Sequence, residues 1–131
     1  MTFATANVVI IGTRVIFPEE QKSVNVQLQN SSSDPALVQS WLDRGDINSR
    51  PNSIQVPFLV TPPIVRIEPN AGQTLRVVFT GKENLPQDRE TLFYLNVLDV
   101  PPKPKAEDLG TNYLQFAIRS RIKFFYRPAL S

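Results

Sequence analysis

Few side chains in this sequence are of a kind that does covalent or metal chemistry. Histidine and cysteine are both absent, which removes the imidazole base, the thiol nucleophile, the disulfide and the usual zinc ligand sets. No glycine-rich phosphate loop occurs, and glycine totals five. The adjacent acids Glu19–Glu20 and Glu107–Asp108 sit beside turn residues and read as solvated loop charges rather than an acid–base dyad. What remains is basic. Arg119, Arg121, Lys123 and Arg127 all fall on odd positions of NYLQFAIRSRIKFFYRP, residues 112–128, and cations of this kind bind anions through charge-assisted hydrogen bonds. The expectation is a binding module, not an enzyme, with no metal and no cofactor.

The basic excess is local. Residues 1–100 carry 8 basic and 10 acidic side chains, whereas residues 101–131 carry 6 and 2, and the whole chain is +2. Basic and aromatic residues interleave in RSRIKFFYR, as in single-strand nucleic-acid binders. Yet Phe124, Phe125 and Tyr126 are contiguous, so on a strand they alternate faces and offer no common stacking platform. A nucleic-acid-binding β-domain is thus the weaker alternative. No apolar run reaches the length of a membrane span, so no membrane insertion is expected. The opening MTFATANVVIIG lacks a basic start and a small-residue cleavage site, and does not read as a signal peptide.

The element that carries these cations alternates along its length. Leu114, Phe116, Ile118, Ile122, Phe124 and Tyr126 occupy one parity and the cations the other, the pattern of a strand with one buried face. Residues 113–127 would extend roughly 50 Å as a strand. A domain of this length is only about 35–40 Å across. Part of that apolar row has more length than its own domain can cover, and an open apolar edge invites another chain.

The rest of the chain reads as short strands between turn signals: NVVII and TRVIF around Gly12, SVNVQLQN, ALVQSWLD, IQVPFLVTPPIVRI broken by prolines, QTLRVVFTG and ETLFYLNVLDV. The last of these has apolar residues on both faces and is expected to be covered on both sides. NSSSDP is a turn and residues 101–112 a loop. No segment keeps a helical apolar period. One domain over residues 1–131, all-β, a seven-stranded immunoglobulin-like β-sandwich, is expected. Without a cysteine pair it is not an antibody-type domain. A structural immunoglobulin-like domain of a surface protein is a further alternative.

GTRVIFP, PALVQSWLD, VPFLVTPPIVRIEP, QTLRVVF, LPQDRETLFYLNVLDVPPKP and LQFAIRSRIKFFYRP together cover nearly all of residues 12–128. They resemble the N-terminal domain of the PapD-like periplasmic chaperones of the chaperone–usher pilus pathway. The resemblance implies a periplasmic domain that binds pilin subunits, lends them its final strand, and delivers them to an outer-membrane usher. It implies that Leu114, Phe116 and Ile118 form the donated apolar row. It implies that Arg14 and Lys123 anchor the pilin C-terminal carboxylate. Arg76, Glu90 and Arg127 match a charged cluster of structural role near the junction with a second domain, which this sequence does not contain. The Cys-free loop 101–112 is similar to that of short-loop chaperones serving rod-like pili. Self-association through the open edge strand is also expected. Alternation sets Lys123 on the face opposite Leu114, Phe116 and Ile118, and a bulge near Ser120 is the expected remedy, since one extra residue shifts the phase.

Overall fold

Two breaks in the sequence set the architecture. Gly12 has φ of 116°, a conformation open to glycine and strained for other residues, and there the chain crosses from one sheet to the other. Strand β1 (Val8–Ile10) lies before it in a four-stranded sheet and β2 (Arg14–Pro18) after it in a five-stranded one. Pro62–Pro63 does the same further on: β5 (Phe58–Thr61) precedes the pair and β6 (Ile64–Ile67) follows it in the other sheet. Proline donates no ladder bond, so a strand cannot run through the pair unbroken. The computed structural model describes residues 7–50, 55–100 and 117–129.

The remaining strands are β3 (Ser23–Asn30), β4 (Ala36–Asp43), β7 (Gly72–Phe79), β8 (Thr91–Val100) and β9 (Ile118–Arg127). The sheets run β1-β3-β7-β5 and β2-β9-β8-β4-β6. The described residues are thus all-β, an immunoglobulin-like sandwich. The expected seven strands become nine because the two breaks each divide one strand between the sheets. All described pairings are antiparallel except β2 with β9, which is parallel.

Period-two burial builds the core. Phe93, Leu95 and Val97 of β8 and Phe124 and Tyr126 of β9 face inward and are buried, as are Leu75 and Val77 of β7. Phe58 crosses the space between the sheets. Its ring centroid lies 5.3 Å from Phe17, 5.1 Å from Phe93 and 5.1 Å from Phe124. Burying one such ring contributes about 1.5–3 kcal/mol, and aromatic pairs of this geometry add about 0.5–1.5 kcal/mol. This cluster therefore fixes how β2 and β9 sit on the other sheet.

Asn30 ties the ends of the strands. It is buried, and its Nδ2 donates to the carbonyls of Asp34, Ile67 and Glu68, while its Oδ1 accepts from the Ser32 amide and hydroxyl. The NSSSDP turn is thereby pinned to the end of β6.

Candidate functional site

The basic row of β9 stands on the outer face of the five-stranded sheet. Ile118, Ser120, Ile122, Phe124 and Tyr126 alternate with it and turn toward the core. Burial along this inner row is graded. Phe124 and Tyr126 are buried, whereas Ile122, Ser120 and Ile118 are only half-buried. The domain's own core therefore covers the C-terminal end of the strand and thins toward its start. Leu114 and Phe116 lie outside the described residues.

The strand's edge is divided at the same place. β8 pairs with β9 over the whole span from Asp99↔Ile118 to Thr91↔Tyr126. On the other side β2 pairs only from Arg14↔Lys123 to Pro18↔Arg127. Among the described residues, residues 118–122 have no strand partner on that side. The β8 register runs without interruption through Ser120, so the bulge expected there does not occur. A continuous ladder with Phe93 and Leu95 in the core holds the phase of β9 fixed.

Arg14 and Lys123 meet where the open edge ends. They are 109 positions apart, yet they are Cα partners in the parallel pair, about 4.8 Å apart across the ladder. Both are exposed. Among the described residues neither side chain makes an ion pair or hydrogen bond. Two like-charged side chains on one face of adjacent strands, with no counter-ion among the described residues, favour an anion beside them.

The next two cations on the same face, Arg119 and Arg121, are both engaged within the fold. Asp43, at the end of β4, is fully buried. Arg121 donates to it through Nη2 at 2.8 Å and Nε at 3.2 Å, Asn96 through Nδ2 at 2.6 Å, and the Gly45 amide at 2.7 Å. Gly45 has φ of 127°, and this glycine conformation turns its N–H back to the carboxylate. Burial alone raises the pKa of Asp43, but the bonds from Arg121, Asn96 and Gly45 outweigh it, so the carboxyl sits below its ordinary value. Arg121, chiefly through its bond to Asp43, is held above its own. The Arg121 guanidinium also lies 3.8 Å over the Tyr94 ring. Arg119 donates to Asn96 Oδ1 at 2.7 Å and to the Ile47 carbonyl, and its guanidinium lies 5.1 Å over Trp41. The cover expected on the outer side of β8 is only partial: this polar network buries Asn96, whereas Tyr94 and Leu98 are half-buried and Leu92 is exposed.

Other expected residues fall into two places. Arg127 and Glu90 form an ion pair at 2.6 Å on the surface. Arg76 does not join them. It lies between the buried Leu75 and Val77 of β7 and so points outward from the four-stranded sheet, because strict alternation puts it on the opposite outer face of the sandwich. Glu19 caps the chain's exit by accepting from the Ala129 amide, while Glu107 and Asp108 lie outside the described residues. Phe124 and Tyr126 are core, whereas Phe125 lies half-buried on the outer face beside the cations. No group of acidic or metal-ligating side chains that could hold a metal ion occurs among the described residues, and no described helix is long and apolar enough to cross a membrane. A groove of about 550 Å³ between β4 and β5, lined by Trp41, Phe58, Leu59 and Pro63 among others, contains neither Arg14 nor Lys123. Sequence reasoning missed Asp43, Asn96 and Arg121 as one unit. The available signal was a lone acid on the outward parity of β4, two residues after Trp41.

Fold and site define an immunoglobulin-like domain in which, among the described residues, β9 keeps one edge open up to a pair of cations without a partner. The chain matches the family of pili and flagellar-assembly chaperones, PapD N-terminal domain, over residues 7–131, and it belongs to that family. It is 56% identical over 128 residues to the chaperone protein HifB of Haemophilus influenzae, covering 96% of this chain and 53% of HifB. It is 56% identical over 124 residues to the probable fimbrial chaperone YadV of Escherichia coli K12, covering 94% of this chain and 50% of YadV. The chain spans about half the length of the curated relatives it matches. Among solved structures, the YadV chaperone superposes with a TM-score of 0.76 at 50% identity, covering 94% of this chain and 52% of that one. The SafB chaperone in complex with the SafA pilin, from Salmonella enterica, gives 0.80 at 33% identity, covering 97% and 57%.

Proposed function

We propose that this domain binds pilin subunits in the periplasm by pairing the open edge of β9 with an incomplete pilin sheet, and that it passes them to an outer-membrane usher. The observation that carries the reading is the coincidence of three features at one point. Among the described residues, the open edge of β9 stops at Lys123, the inner row loses its core cover there, and the Arg14–Lys123 pair stands uncommitted beside it. An incoming strand gains main-chain bonds along residues 118–122 and buries its alternate side chains against the inner row, the usual division of affinity and specificity in strand addition. Ile118, with Leu114 and Phe116 ahead of it in sequence, supplies that row. Each large apolar side chain taken from water contributes about 1.5–3 kcal/mol.

The opposite facing of Lys123 and Ile118 needs no bulge on this reading. A strand that docks at the edge lies in the plane of the sheet, so its terminal carboxylate is within reach of outward side chains while its own side chains enter the inner row. Charge-assisted bonds to that carboxylate contribute about 1.5–3 kcal/mol. The apolar row then supplies most of the affinity and the cations fix where the strand ends. Without a subunit, the same edge is expected to pair weakly with that of a second copy of the domain. That relatives such as SafB are found with a pilin supports the assignment of the partner.

The test is capture of a denatured pilin subunit during refolding. The wild-type protein is expected to hold it soluble and Lys123→Ala to lose most of that capture. Undiminished capture by an Arg14→Ala, Lys123→Ala double variant would remove the anchor.

A further inference from the structure

Strand addition at an edge is degenerate in steps of two residues. A shift by two returns every side chain to the same face and every main-chain bond to an equivalent partner. Along the open edge of β9 the outward positions 119, 121 and 123 all carry cations, about 6.6 Å apart at strand spacing. A strand ending in a carboxylate would thus find three equivalent stops. Arg127 is not a fourth, because β2 covers the edge from Lys123 onward.

We infer that Asp43 selects among these stops: it occupies Arg121 and, together with Asn96, holds Arg119 to the fold, so that among the described residues the Arg14–Lys123 pair is the one uncommitted cationic stop on the open edge. The inference rests on the proposed carboxylate anchoring. Asp43 is fully buried and its two oxygens accept four hydrogen bonds, two of them from Arg121. Its own charge also opposes a second carboxylate at Arg121. Arg119 donates to Asn96 Oδ1 and the Ile47 carbonyl, and its Nη2 lies 3.6 Å from Asp43. Asn96 joins the two halves, since its Nδ2 binds Asp43 while its Oδ1 receives Arg119. Lys123 and Arg14 have no such partner among the described residues. Asp43 is accordingly a positioning residue that never touches the bound strand.

The experiment uses this chain and a synthetic peptide of alternating valine and serine with a free C-terminal carboxylate and a photocrosslinking group beside it. Cross-linked sites are read by mass spectrometry, with the C-terminal amide of the same peptide as control. In the wild type, cross-links should centre on the level of Arg14 and Lys123, and the amide should spread them. In Asp43→Asn they should extend by two and four residues toward Ile118, with selectivity for the Lys123 level falling at least threefold. The double variant Asp43→Asn, Arg121→Gln should return them to the Lys123 level, a rescue that mere loss of structure would not produce. Asn96→Leu leaves the Asp43–Arg121 pair in place and should move cross-links toward Arg119, which keeps the test open if Asp43→Asn fails to fold. Folded Asp43→Asn or Asn96→Leu protein with the wild-type pattern overturns the selector role. An identical pattern for acid and amide on the wild type overturns the anchor itself.

Discussion

Phe17 and Tyr126 are register partners in the parallel β2–β9 pair, and their rings stack with centroids 6.0 Å apart and planes 29° apart. Three positions earlier in each strand, Arg14 faces Lys123. The buried stack and the exposed cation pair are thus consecutive features of one ladder. Phe17→Ala should cost about 3–5 kcal/mol, as buried Phe truncations do. It should also loosen β2, so amide exchange at Val15 and Ile16 should rise more than at Leu95 in β8.

Ile118 and Phe93 distinguish the proposed donated row from the core. Phe93 is fully buried and touches Phe58 and Phe124, so Phe93→Ser should cost several kcal/mol, at or beyond the about 2–5 kcal/mol of large-to-small core changes, and unfold the domain near room temperature. Ile118 is half-buried at the thin end of the core, and Ile118→Ser should shift the melting temperature only slightly. Phe116→Ser is expected to behave like Ile118→Ser and to lose pilin. Equal melting losses at Phe93 and Ile118 would assign β9 wholly to its own core.

Lys123 is exposed and adjacent to a like charge. Lys123→Ala should leave stability within about 0.5 kcal/mol of wild type, as surface changes do, even while capture is lost. A urea titration and a capture assay on the same preparation check both halves.

Asp43 gives the fold a signed dependence on acid. Its folded pKa is held below the ordinary 3.8 by Arg121, Asn96 and Gly45 against the opposing effect of burial. A carboxyl depressed on folding contributes stability above its unfolded pKa and loses it as pH falls through the folded one. Asp43→Asn should therefore cost about 3–5 kcal/mol at neutral pH, as breaking a buried pair does. The gap between wild type and variant should close as pH falls below 3.8. Urea midpoints for both proteins from pH 7 to pH 2 would show it, and a gap constant with pH would assign the loss to packing alone.

Asn30→Ala should remove three donated bonds from the junction of the NSSSDP turn with β6, although the Asp34 carbonyl still accepts from the Ser32 hydroxyl and the Glu68 carbonyl from the Ala71 amide. Each such bond contributes about 0.5–1.5 kcal/mol net, so a loss of about 2–4 kcal/mol is expected by thermal scan.

Alternation along β3, β4, β7, β8 and β9 is written in the sequence, because burial of one sheet face imposes period two directly on residue type. It made the sandwich legible, along with the inward placing of Phe93, Phe124 and Tyr126 and the outward placing of Arg119, Arg121 and Lys123. The resemblance of several long motifs to one chaperone family added Arg14 to Lys123, which no local pattern connects. The tertiary structure decided the rest. Whether Gly12 and Pro62–Pro63 kink a strand or send it to the other sheet depends on which sheet has a vacant edge, a property of the assembled sandwich. The unbroken phase of β9 depends on its ladder with β8. The separation of Arg76 from Glu90–Arg127 follows from which outer face each strand presents. Arg119, Arg121 and Lys123 look alike in the sequence, two residues apart on one parity. Only folding brings Asp43, 78 positions away from Arg121, beneath the first two and leaves the third without a partner among the described residues, since a buried carboxylate neutralises the cations it touches and no others.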